Sequence, residues 1–207
     1  QQTLHTHGRF LPPYPSSIEF STLGGAVANN ASGEKTIKYG NTRNYVKGLR
    51  VVLANGEVIE TRRLSKRELN KKMGLSTFEG EIYRALDTVI EESAETISTI
   101  DKDVTKNSAG YAIDNVKYKN GSFDLTPLIV GSQGTLGVVT EAILSTEPYN
   151  PKTTLIVANF ADVASASEAV LQMRKMPDIP SAIEVVDDNL LNFIDEHNPT
   201  YLKGIVD

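Results

Sequence analysis

Two stretches of this sequence carry residue types that could hold a ligand. The first is Ser21-Thr22-Leu23-Gly24-Gly25-Ala26-Val27-Ala28-Asn29-Asn30-Ala31-Ser32-Gly33. With so little bulk, its backbone can offer N–H groups to an anionic phosphate or a flat ring. It lacks the G-x-G-x-x-G spacing of a dinucleotide fingerprint and the Gly-Lys-Ser/Thr of a phosphate loop. A tight turn into a short, closely packed helix therefore explains it equally well. The second stretch, Gly131-Ser132-Gln133-Gly134-Thr135-Leu136-Gly137, sets three glycines at three-residue spacing ahead of Val138-Val139-Thr140-Glu141. Glycines there can leave main-chain groups for a ligand, and a bulged strand is the equal alternative.

Other chemistries fit poorly. The chain has no cysteine, which excludes a thiolate metal site, an iron–sulfur cluster and a cysteine nucleophile within it. His5, His7 and His197 stand at opposite ends without supporting carboxylates, a poor zinc set. A net charge of −5 argues against a general nucleic-acid role. No apolar run reaches the ~20 residues of a bilayer-spanning helix. We expect a cytoplasmic location, with peripheral membrane association left open. The glycine loops lack the Lys, Asp and magnesium-ligand cluster of a nucleotide-using transferase.

The elements that must position these stretches follow from pattern. Two hundred and seven residues suit one large domain or a domain and a half. Residues 1–21 read as loop, since Pro12-Pro13-Tyr14-Pro15-Ser16-Ser17 forbids helix. Tyr45 to Thr61 reads as a hairpin turning at Asn55-Gly56. The basic run 62–72 reads as solvated surface. Phe78 to Ile100 has helical periodicity, with Ile82, Leu86, Val89 and Ile90 on one side. A polar connector from Asp101 to Phe123 leads into a strand-rich region, Leu125 to Ser145. Beyond Pro148 and Pro151 we expect strands at 154–160 and 182–186 and helices at 162–175 and 187–196. The fold class is α+β, a mixed and mainly antiparallel sheet with flanking helices.

The motifs, in order, resemble the FAD-binding domain of the vanillyl-alcohol oxidase and p-cresol methylhydroxylase flavoproteins. The nearest branch is the D-lactate dehydrogenase, glycolate oxidase subunit and alkylglycerone-phosphate synthase group. The resemblance rests on Pro12 to Ser17, the first glycine segment, Tyr39-Gly40-Asn41-Thr42, Val51 to Val58, Lys106-Asn107-Ser108-Ala109-Gly110-Tyr111, and Gly131 to Glu141. It implies FAD as cofactor. Pro15, Ser16, Ser21, Thr22, Gly24 and Gly25 fall where the family lines the flavin and pyrophosphate. Asn29, Asn30, Ala31, Ser32 and Gly33 fall on the segment that passes the FAD. Gly134, Thr135, Leu136, Gly137, Val138 and Val139 match the strand whose backbone holds the adenine end. Gln133 stands where the family often has Glu, so a charge is missing there.

The same resemblance implies two regions: 1–150, the second subdomain of the FAD-binding domain, and 151–207, the start of a ferredoxin-like cap. By that expectation the chain is a fragment. The first subdomain would precede Gln1, and the rest of the cap, with its His-rich segment, would follow Asp207. Residues 62–105 look like an insertion relative to shorter members. The implied activity is FAD-dependent oxidation of a 2-hydroxy acid such as D-lactate or glycolate, by hydride transfer to flavin N5. The implied partners are that small substrate and an electron acceptor, with a second copy or partner subunit left open. No residue is marked as the base; Tyr39, Lys106, Tyr111 and Glu184 are the candidates, each with a structural role as the alternative. The contrasting expectation is a non-catalytic flavin-binding or interaction module.

Overall fold

The computed structural model describes residues 1–100, 104 and 106–201, without the side chain of Pro199. Part of the expected polar connector, the end of the 62–105 insertion and the Ile205-Val206-Asp207 terminus lie outside the described residues. The chain begins with α1 (Gln2–His5), β1 (Arg9–Phe10) and a 3-10 turn at Ile18–Phe20, so the expected loop carries three short elements. Pro12 to Ser17 forms no helix, as its prolines dictate. Three short helices follow: α2 (Leu23–Ala28), α3 (Thr36–Tyr39) and α4 (Thr42–Tyr45).

The expected hairpin is β2 (Val46–Val52) with β3 (Val58–Thr61). Gly56 takes a φ of 86° in its turn, a conformation that favours glycine, and Val52 pairs with Val58. Helices α5 (Lys66–Met73), α6 (Phe78–Glu92), α7 (Ala94–Ser98) and α8 (Thr126–Ile129) come next, then β4 (Val138–Leu144) and β5 (Glu147–Pro148). Strand β4 pairs with β2, giving an antiparallel sheet of order β3-β2-β4, while β1 pairs with β5. Both sheets are antiparallel, with none of the parallel pairing that a mixed sheet would add among the described residues.

One core joins these parts. Leu49, Val51 and Ile59 from the sheet share a cluster with Val27 of α2, Leu69 of α5, Tyr83 and Ile90 of α6, and Leu128 and Ile129 of α8. Val89 departs from the expected helix face and is 44% exposed. Two further expectations need correcting. The region 125–145 is strand only from Val138; Thr126–Ile129 is a helical turn and 131–137 a run of turns. Positive φ angles at Gly131, Gln133 and Gly134 are incompatible with an extended ladder.

Residues 154–160 and 182–186 form no strand. Their apolar side chains qualify them by composition, but a strand exists only through a hydrogen-bonded neighbour, and none is present among the described residues. The two expected helices do form, as α9 (Val163–Met173) and α10 (Asp188–His197). The Asp162 and Asp187 carboxylates cap them by accepting from Ser165 N and Leu190 N.

Candidate functional site

The two glycine segments meet. Helix α2 is capped by Thr22, whose hydroxyl accepts from Gly25 N at 3.0 Å. The helix ends where Asn30 turns left-handed, with φ 46°. Its last carbonyls are then used across the chain: Val27 O accepts from Gly131 N at 3.0 Å, and Ala28 O from Gln133 N at 2.9 Å. Residues more than a hundred positions apart are thus laid side by side by main-chain bonds.

The surroundings explain some of the glycines and not others. A Cβ on Gly33 would fall 1.9 Å from Tyr14 O, so this glycine lets the proline loop carrying Pro15 and Ser16 lie against the segment. At Gly137 a Cβ would fall 2.7 Å from both Val51 Cγ1 and Val52 O, so this glycine admits β4 beside β2. Around Gly24 and Gly134, by contrast, a Cβ would meet nothing within 4 Å. Both are exposed; a φ of 80° accounts for glycine at Gly134, whereas Gly24 lies in a helix and nothing in the chain's own packing excludes a side chain from it.

The remaining expected residues differ in exposure and in the bonds they make. Ser16, Ser21, Thr22, Asn29 and Thr135 are exposed, while Pro15, Gly25, Ala31, Ser32 and Leu136 are half-buried. Ser21 Oγ donates to Ser17 O, and Asn29 Nδ2 donates to Gly25 O. Ala31 O accepts from both Thr42 N and Thr42 Oγ1. Val138 is exposed and pairs with Val52, and Val139 pairs with Val51. Thr135 Oγ1 donates to Ser132 O at 2.6 Å, leaving it to accept from the Tyr111 hydroxyl at 2.8 Å.

Four candidate bases were named from sequence, and only Tyr111 reaches the junction, where its hydroxyl is engaged by Thr135. Tyr39 packs edge-on against Phe10, while Lys106 and Glu184 are exposed. Sequence reasoning passed over Arg43, one residue beyond the Tyr39-Gly40-Asn41-Thr42 motif. Its backbone N donates to Asn30 Oδ1 at 2.9 Å and its Nη2 to Val130 O at 3.0 Å. It also lines a cleft of about 790 Å³ with Asn41, Lys47, Arg63, Tyr111 and Asp124. Two buried nitrogens at this junction, Asn30 Nδ2 and Arg43 Nε, have no hydrogen-bond partner among the described residues.

Charge around the site is shaped by burial and pairing. Burial pulls the Arg43 guanidinium pKa below its ordinary value, and the nearby Asp114 carboxylate opposes that. Beside Gly33, the Lys35 hydrogen bond holds the Glu34 carboxyl low, and burial pushes the Tyr14 hydroxyl up. Burial disfavours the Lys35 cation, but its hydrogen bonds to Glu34 and Tyr14 outweigh that and raise its pKa.

Residues 1–62, which contain the whole first glycine segment, match the family described as FAD binding domain. A longer likeness runs beyond residue 62. The chain is 31% identical over 209 residues to the glycolate oxidase subunit GlcD of Bacillus subtilis, an alignment covering 99% of this chain and 34% of that protein. It is 30% identical to the D-2-hydroxyglutarate dehydrogenase of Pseudomonas putida, covering 91% of this chain and 18% of that one. For the D-lactate dehydrogenase of Archaeoglobus fulgidus the identity is 30%, covering 87% and 29%. The chain therefore spans about a third of the length of GlcD and less of the other two. A solved structure of an alkyldihydroxyacetonephosphate synthase shares the fold at a TM-score of 0.54 and 22% identity, over 98% of this chain and 29% of that one. No helix among the described residues is long and apolar enough to cross a membrane.

Proposed function

We propose that this chain supplies a glycine-lined wall of the FAD site in an FAD-dependent oxidoreductase that acts on a 2-hydroxy acid such as D-lactate or glycolate. The observation that carries the reading is the main-chain junction of the two glycine segments, with Gly24 and Gly134 left open beside it. Such bare backbone suits a group that presses directly on N–H and C=O atoms. The orphaned Asn30 Nδ2 marks the same junction as a place where polar chemistry is not satisfied from within the chain. Names of the relatives support the substrate class.

In this reading Pro15, Ser16, Ser21, Thr22, Gly24, Gly25 and residues 29–33 form one side of the wall. Residues 134–139 form the other, and residues 151–207 belong to a separate cap region. The chemistry supplied by bound FAD is acceptance of a hydride from the hydroxyl-bearing carbon. The chain's own part is to bind and orient. A second reading, a flavin-binding module without catalysis of its own, draws support from the candidate bases. Of the four, only Tyr111 reaches the junction, and its hydroxyl donates to Thr135.

Flavin absorbance and a dye-coupled assay with D-lactate and glycolate on the full-length protein separate the two. Yellow protein that reduces dye with either acid supports the enzyme, and yellow protein inert towards both supports the module. Colourless protein that takes up no FAD on titration overturns both.

A further inference from the structure

Three segments distant in sequence converge on one residue, through its main-chain N–H on one side and its guanidinium on the other. Arg43 N donates to Asn30 Oδ1 in the first glycine segment, and Arg43 Nη2 donates to Val130 O at the threshold of the second. The fit is close enough that a Cβ on Gly131 would stand 3.1 Å from Arg43 Nη2 and 3.2 Å from Asn30 Cβ. Gly131 has φ 89°, and Gly131 and Gln133 turn their N–H groups onto Val27 and Ala28.

We infer that Arg43 is the positioning residue that holds the two glycine segments in the arrangement in which they take up FAD. The inference rests on the FAD reading above and goes beyond it. Arg43 need not touch the cofactor. A half-buried guanidinium, desolvated yet kept, is a costly choice for a structural pin. Its rigid, planar guanidinium directs a single Nη2–H at the Val130 carbonyl, a direction that a flexible ammonium does not fix equally well. If Val130 O is released, the left-handed turn at Gly131 loses its outer restraint. The amides of Gly131 and Gln133 then lose their fixed partners, and the wall loses its register.

The test compares wild type, R43K and R43Q by two readouts. The first is hydrogen exchange at the Gly131 and Gln133 amides of the FAD-free 207-residue chain. The second is the FAD dissociation constant of the full-length protein. We expect protection at both amides, and FAD affinity, to fall in the order wild type, R43K, R43Q. The R43Q loss of affinity should be about tenfold, while amides of the β2–β3 hairpin keep their protection. If R43Q does not fold, R43K must still fall below wild type in both readouts. Wild-type protection at Gly131 and Gln133, or wild-type FAD affinity in folded R43K and R43Q alike, overturns the positioning role. Uniform loss of protection across the hairpin also overturns it, because Arg43 would then be a general stabiliser. Wild-type protein that takes up no FAD fails the functional reading instead, and the exchange data still report whether Arg43 holds the segments.

Discussion

Tyr83 is fully buried in the core, yet its hydroxyl has no hydrogen-bond partner among the described residues. Burial pushes its pKa far above the ordinary tyrosine value, so the group stays neutral. Removing an unsatisfied buried hydroxyl relieves a desolvation cost of about 1–3 kcal/mol. Tyr83→Phe should therefore raise the urea unfolding free energy by about 1 kcal/mol, and a loss of stability would reveal an unseen partner. Gly24 offers a sharper discrimination, because it lies inside α2 with open space around it. Ala is favoured over Gly in a helix by roughly 0.5–1 kcal/mol. Gly24→Ala should stabilise the FAD-free chain by that amount, and in the full-length protein it should weaken FAD uptake. Stabilisation with unchanged uptake would remove Gly24 from the proposed wall. At this scale the glycines were legible in sequence, since they are conspicuous by type. Arg43 was not, because its partners Asn30 and Val130 are brought to it only by the fold.

The hairpin was the most legible element, since Asn55-Gly56 both signals the turn and supplies the positive φ that makes it. Helix α5 was missed although its start carries the Ser-x-x-Glu pattern at Ser65 and Glu68. The surrounding basic residues masked it as a solvated run. In the structure Ser65 Oγ accepts from Glu68 N, and Glu68 Oε2 accepts from Ser65 N at 2.8 Å. Ser65→Ala should cost about 1 kcal/mol of stability, read by chemical unfolding. The same cap sets a pH dependence. Hydrogen bonds from Arg62, then from Ser65, hold the Glu68 carboxyl down at about 2. Glu57 is also lowered, chiefly by accepting from Phe78 N at the start of α6. A folded pKa below the unfolded value of ~4.3 contributes stability that is complete above the unfolded pKa. It is lost as pH falls through the folded one. Amide protection in α5 should therefore decline between about pH 4.5 and 2, and less so in Glu68→Gln. The expected strands at 154–160 and 182–186 failed for a different reason: strand-forming composition is local, but pairing is not.

Across the whole molecule, apolar surface is divided unevenly. The sheet and α2, α5, α6 and α8 share one core, while Leu155 and Ile156 are 81% and 84% exposed, and α9 and α10 contain no buried residue. The body formed by residues 1–150 should thus keep its unfolding midpoint when residues 151–207 are removed. A fall of many degrees would place part of the core beyond residue 150.

The openness of the glycine wall leads to the last prediction, that the 207-residue chain by itself binds FAD weakly and oxidises no hydroxy acid. Ser16, Ser21, Thr22, Gly24 and Gly134 are all exposed, and no described atom approaches a Cβ built on Gly24 or Gly134. An elongated dinucleotide laid on this wall would be met from one side and washed by water on the other. Each charge-assisted hydrogen bond that is not made forgoes roughly 1.5–3 kcal/mol. Three such bonds amount to several powers of ten in affinity, because ~1.4 kcal/mol is a factor of ten. An open wall also leaves water at the site where a hydroxy acid would have to be oriented. Calorimetric titration of the chain with FAD should give a dissociation constant well above the micromolar range, and a D-lactate assay with a dye acceptor should show no turnover. Micromolar binding accompanied by turnover would mean that this wall is sufficient as it stands, with Thr22 to Gly33 and Gly131 to Val139 making enough contacts unaided.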